Sequence, residues 1–189
     1  MPERKGAAPK KITAAVLENI AVHYLERFAS STENLRRVLM RRVRRAADHH
    51  GGDPGEGKAL VEALVERFRR SGVLDDRRYA AAKAASLQRR GGSRRIISGR
   101  LAQQGVDGTL IAATLRDLDD EAGGSDLAAA CAFIRRRRLG AYRRGDAPAD
   151  RRDKDLAALA RAGFPFEIAR RVLACGDVAA VEALLSEDG

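Results

Sequence analysis

Gly72-Val73-Leu74-Asp75-Asp76-Arg77-Arg78-Tyr79-Ala80 closes one amphipathic helix and opens another within nine residues. Gly72 suits the left-handed conformation that ends a helix, with Val73 expected to fold back on Phe68 as the apolar contact of that cap. Asp75 is a good N-cap for the next helix, and Asp76 adds negative charge at its positive end. Leu74 and Tyr79 stand at the two positions of a hydrophobic staple. A junction this short belongs to a chain of short helices, and losing its cap costs about 1 kcal/mol.

Upstream, Leu17, Ile20, Ala21, Tyr24, Leu25 and Phe28 recur at helical spacing behind Thr13 as cap, with Ile12 stapled to Leu17. Ser30 and Glu33 read as a capping box that opens a second helix reaching roughly Ala47. His49-His50-Gly51-Gly52 is expected to be a loop, and its histidine pair lacks the partners of a zinc site. Asp53 and Pro54 then start a third helix whose stripe is Leu60, Val61, Leu64, Val65 and Phe68.

Downstream of the junction, Tyr79, Ala80, Ala84 and Leu87 line a helix that fades at Arg89-Arg90-Gly91-Gly92. Ser93 caps a helix that buries Ile97 and Leu101, and Asp107 caps another carrying Ile111, Leu115 and Leu118. An acidic, Gly-containing linker, residues 119–125, precedes a helix with Leu127, Ala130, Cys131 and Ile134 on one side. Residues 140–149 read as an Arg-rich loop, and Asp177 caps a last short helix. Leu101, Gly105, Val106, Leu110 and Leu115 match Leu159, Gly163, Phe164, Ile168 and Leu173 at a constant offset of 58 residues, the mark of an internal repeat. The expected fold is therefore all-α, an elongated tandem array of three-helix units without β-sheet. Residues 1–12 form a disordered basic tail, 13–73 the first unit, 74–119 the second, and 120–189 the third with its Arg-rich loop and short C-terminal helix.

Composition narrows the function. The 189 residues carry 36 Lys and Arg against 26 Asp and Glu, a net charge of +10, which favours phosphate backbones or acidic protein surfaces as partners. The arginines fall in groups: Arg37, Arg41, Arg44 and Arg45; Arg89, Arg90, Arg94 and Arg95; and Arg135, Arg136, Arg137 and Arg138. Each group reads either as a solvated, dipole-complementing face or as a contact to phosphate or acidic protein. Cys131 and Cys175 sit in helical patterns and read as free thiols of a reducing compartment. The sequence shows neither a long apolar run nor a signal peptide, so a cytoplasmic protein without membrane contact is expected, as a monomer. Neither a metal-ligand spacing nor a phosphate loop nor a nucleophile and base pair is present, so the chain reads as a non-enzyme without cofactor, metal or catalytic residues.

Leu74, Asp75, Asp76, Tyr79 and Ala80, then Leu101 with Gly105-Val106, then Arg161-Ala162-Gly163-Phe164, resemble the signature of the RecX family. The resemblance runs from about Leu17 to Leu173. It implies tandem three-helix repeats and a modulator of the RecA recombinase that lies in the groove of the RecA filament on single-stranded DNA. There it inhibits strand exchange, ATP hydrolysis and the coprotease function, and so regulates DNA repair, homologous recombination and the SOS response. The matched positions are mostly caps and core, so they identify the scaffold more than the contact surface. A helical protein that binds DNA on its own, without sequence preference, is the alternative.

Overall fold

The computed structural model describes residues 9–120, 125–143 and 151–186. Most of the expected basic tail, the centre of the acidic linker, most of the Arg-rich loop with Arg144 and Pro148, and the last three residues lie outside them. Among the described residues there are ten α-helices, a single 3-10 turn at Gly140–Tyr142, and no strand. The fold is all-α, as the periodicities require.

The chain divides into two compact units, the first being residues 1–79 with 104–106 and the second residues 80–103 with 107–189. The core of the first unit is built by α1 (Ala14–Leu25), α2 (Thr32–His50) and α3 (Pro54–Arg70). Leu17 and Ala21 of α1, Leu35, Leu39 and Val43 of α2, and Val61, Leu64, Val65 and Phe68 of α3 are all buried, with Leu74 added from the junction. Each fully buried leucine contributes on the order of 2 kcal/mol by leaving water. Gly57 lies inside α3 because a Cβ there would sit 2.4 Å from Val43 Cγ1, so the missing side chain lets α2 and α3 approach.

Four local expectations change. Ser31, not Ser30, is the N-cap of α2, accepting the N–H of Asn34 at 3.1 Å. The Ser30 hydroxyl instead accepts from the Asn34 side chain at 2.9 Å, and Glu33 pairs with Arg36 and Arg37 rather than closing a capping box. α2 continues through His49 and His50 because Gly51, at φ +72°, supplies the left-handed stop just after them. Val73 is exposed, and Leu74 makes the apolar return, its N–H reaching Phe68 O at 3.0 Å beyond Gly72 at φ +75°. Phe28 lies past the end of α1, 53% exposed and tilted against Tyr24 with ring centres 5.2 Å apart, so it is outside the core.

α4 (Asp76–Arg89) begins at the expected cap, Asp75 accepting the N–H of Arg78 at 2.9 Å. In the second unit α5 (Arg94–Gln103), α6 (Gly108–Asp120) and α7 (Asp126–Arg137) follow, then α8 (Arg151–Arg161), α9 (Phe166–Ala174) and α10 (Val178–Ser186). Its core gathers Leu127, Ala130, Phe133 and Ile134 of α7 with Leu159, Phe164, Val172, Leu173 and Val181. Cys131 is buried in it and Cys175 half-buried, and neither is in a disulfide. Asp155 of α8 is a buried carboxylate, accepting the Gly140 N–H at 3.0 Å and the Arg143 guanidinium at 2.5 and 2.6 Å.

One device occurs in each unit. At the start of α2, the Ser31 hydroxyl donates to the carbonyl of Gln104, and the first helical N–H, that of Thr32, goes to Asp76 Oδ1 at 2.7 Å. At the start of α5, the Ser93 hydroxyl donates to the carbonyl of Ala162 at 2.7 Å, and the N–H of Arg94 goes to Asp126 Oδ1 at 2.8 Å. A helix N-terminus leaves four N–H groups without intrahelical partners, so both helices are capped partly by residues far along the chain. Gly105 (φ +78°) and Gly163 (φ +84°) follow the two accepting carbonyls. A Cβ on Gly105 would meet Glu33 Cγ at 2.4 Å, and one on Gly163 would meet Ser93 Oγ and Arg95 Nε at 2.8 Å. Asp76, Gly105 and Gly163 of the signature thus hold these caps.

Candidate functional site

The arginines sort by whether the protein itself neutralises them. Arg37 donates to Glu33 at 3.0 Å, beside Arg36, which spans Glu33 and Glu62. For Glu33, burial acts to raise the carboxyl, and the two guanidiniums outweigh it, leaving it below the usual range. Arg94 is held by Asp119 and by the carbonyl of Leu115 at 3.2 Å. Arg67 reaches Glu18 at 2.6 Å, and Arg170 reaches Glu167 at 3.0 Å. These side chains already have acceptors within the protein.

The remaining candidates differ. Among the described residues, Arg41, Arg44 and Arg45 have no carboxylate within 4.0 Å, and neither do Arg135, Arg136, Arg137 and Arg138. Arg41, Arg44 and Arg45 lie on the last turns of α2, where with Arg42 they line an open groove of about 660 Å³ floored by Tyr24 and Val38 and edged by Asp48. The Tyr24 hydroxyl is fixed there by the Asn34 side-chain amide at 3.0 Å. Like charges three and four residues apart on a helix cost a few tenths of a kcal/mol per pair, and an anionic partner removes that cost. Arg42 extends the cluster beyond the residues the sequence singles out.

In the second unit, Arg89 and Arg90 are exposed at the end of α4. Arg95 is exposed as well, its stem laid across Gly163. Arg135, Arg136 and Arg137 form the last turn of α7, where positive charge complements the helix dipole. Arg138 caps the helix at φ +55°. The Arg137 guanidinium lies 5.8 Å from the centre of the Phe133 ring, a cation–π contact. It shares the rim of a second concavity, about 450 Å³, with Arg161, above Phe133, Leu139, Ala158 and Ala162. Arg161 is a further arginine without a carboxylate partner among the described residues, and its only sequence signal is its place beside Gly163-Phe164.

Neither concavity holds a nucleophile with a base. Among the described residues no three His, Cys, Asp or Glu side chains are grouped to hold a metal ion. Burial raises the Cys175 thiol, with the Asp177 carboxylate adding to it. No described helix is long and apolar enough to cross a membrane. What the arrangement offers is cation display: guanidinium forks on helix ends, suited to carboxylate and phosphate.

The chain is similar to a family model described as "RecX, second three-helix domain" over residues 75–115. It is 44% identical over 172 residues to a regulatory protein RecX of Myxococcus xanthus, covering 90% of this chain and 91% of that one. Similarity to regulatory protein RecX of Agrobacterium fabrum is 33% over 172 residues, covering 91% and 89%. For that of Halorhodospira halophila it is 31% over 174 residues, covering 91% and 92%. No solved structure matches the chain.

Proposed function

We propose a function that proceeds from one premise: this chain belongs to the RecX family of regulatory proteins. It binds the RecA filament on single-stranded DNA and inhibits strand exchange, ATP hydrolysis and coprotease activity, thereby regulating recombination and the SOS response. It acts in the cytoplasm, as a monomer, without cofactor, and it is not an enzyme. Its helices form three successive three-helix repeats, residues 13–73, 74–119 and 120–189, and the matching caps on α2 and α5 support that division.

The observation that carries the reading is the pair of arginine clusters with no carboxylate within 4.0 Å among the described residues, Arg41 to Arg45 in one unit and Arg135 to Arg138 with Arg161 in the other. A nucleoprotein filament presents both phosphate and acidic protein side chains, and a regulator held by both bridges neighbouring subunits and opposes the motions coupled to ATP turnover. Arg89, Arg90 and Arg95 extend the same contact, while Arg37 and Arg94 support the helices that display it.

The test is the ATPase rate of the cognate RecA on single-stranded DNA as the protein is titrated in, with binding to bare DNA measured in the same buffer. Inhibition at protein levels too low to coat the DNA supports the filament reading. Tight binding to bare DNA without RecA-specific inhibition rejects it in favour of a stand-alone DNA-binding protein. Salt dependence is expected in either case and does not separate them.

A further inference from the structure

We propose that the concavity of the second unit is a docking site for an acidic protein segment that inserts one apolar side chain between Arg137 and Arg161. This rests on the filament reading and deepens it by giving the protein partner a chemistry. The floor is apolar, made by Phe133, Leu139, Ala158 and Ala162, and the two charged groups on the rim are both arginines. An apolar floor under two cations is complementary to an aliphatic or aromatic side chain flanked by carboxylates, each able to take a guanidinium fork.

A nucleic-acid base fits less well. Base recognition without sequence preference uses an open aromatic face. Phe133 is only 7% exposed, with the Arg137 guanidinium over its ring and Phe164 packed against it at 5.6 Å and 64°. So little of the ring is accessible that it offers no open platform for a base. The floor is also fixed in place from behind. The turn at Gly91 packs so closely on α7 that a Cβ there would meet the Phe133 backbone N at 2.7 Å.

Arg138, the C-cap of α7, adds a backbone observation beside the concavity. Among the described residues it is the only non-glycine with positive φ, at 55°, whereas Gly51, Gly72, Gly91, Gly105 and Gly163 hold the other left-handed positions after helices. Arginine keeps a conformation that glycine would adopt without strain. It stands between Arg137 and Leu139, both of which line the concavity.

The experiment uses the full chain and a fluorescein-labelled peptide, Glu-Asp-Leu-Asp-Glu, its Leu-to-Ser counterpart, and labelled oligothymidylate, all read by anisotropy at low salt, with RecA ATPase inhibition measured in parallel. The Leu peptide is expected to bind at least severalfold more tightly than the Ser peptide. Arg137→Gln with Arg161→Gln should weaken the Leu peptide by about tenfold or more, while Arg69→Gln with Arg70→Gln, exposed at the end of α3, leaves it within about twofold. Arg138→Gly should weaken the peptide and raise the unfolding temperature together, a pairing that a merely structural arginine would not give. Equal binding of the Leu and Ser peptides overturns the proposal. So does oligothymidylate binding that is lost with Arg137→Gln and Arg161→Gln while the peptides do not bind. If the wild-type chain binds the Leu peptide as described yet fails to inhibit RecA, the docking site stands and the filament reading falls. If it inhibits RecA and binds neither peptide, the filament reading stands and the docking site falls.

Discussion

Gly105 and Gly51 share a backbone conformation and differ in what surrounds them, so replacing each with alanine separates conformational strain from close packing. Their φ angles are +78° and +72°. The left-handed region costs a residue with a Cβ about 1–2 kcal/mol, and alanine returns about 0.4–1 kcal/mol by restricting the unfolded chain. Nothing lies within 4 Å of a Cβ on Gly51, so Gly51→Ala should destabilise by about 1 kcal/mol or less. A Cβ on Gly105 would lie 2.4 Å from Glu33 Cγ and 2.5 Å from Glu33 Cβ, atoms close to the backbone of α2 that cannot swing aside. The first turn of α2 has to move, straining the Glu33 pairs with Arg36 and Arg37 and the Ser31 and Thr32 caps. Overpacking of this kind adds about 1–3 kcal/mol, giving about 2–4 kcal/mol in all. Thermal unfolding followed by circular dichroism should show a fall on the order of 10 °C for Gly105→Ala and about 1–4 °C for Gly51→Ala. Equal shifts would refute the reasoning, because the strain common to both sites would then account for the whole effect.

Asp155→Ala leaves the largely buried Arg143 guanidinium without its carboxylate and the Gly140 N–H without its acceptor. A loss of about 2–3 kcal/mol is expected from urea unfolding, and a change under about 0.5 kcal/mol would show the pair to be dispensable. The Glu33 carboxyl lies below its ordinary 4.5 in the folded chain, so its contribution is complete above about pH 4.5 and is lost as pH falls through the lower folded value. Glu33→Gln should therefore lower the unfolding temperature near neutral pH and lose less than the wild type between about pH 5 and pH 3. Parallel pH profiles for the two proteins would contradict that account.

What the sequence made legible was local. Thr13, Asp53, Asp75, Ser93, Asp107 and Asp177 all cap where the patterns place them, because each bonds a backbone N–H two or three residues away. Ser30 and Ser31 are adjacent and chemically identical, and what separates them is the carbonyl of Gln104, far along the chain. Asp76 looked like a dipole partner for its own helix, yet its carboxylate serves α2. The same limit governs the candidate surface. Arg94 and Arg137 are alike as letters, and only folding brings Asp119 to the first and the Phe133 ring to the second. Asp155 and Arg143, twelve positions apart across an irregular stretch, left no periodic trace at all.

The distant caps also bear on how the protein emerges from the ribosome. Synthesis runs from the N-terminus, and α2 is complete as a segment once His50 has been added. Its first N–H then waits for Asp76, and the Ser31 hydroxyl waits for the carbonyl of Gln104. The first unit therefore closes only when its last contributing residues, 104–106, have left the exit tunnel, by which time residues 80–103 of the second unit have already been made. A nascent chain arrested near residue 80 should remain open to proteases at the start of α2, and one arrested well past residue 106 should be closed there.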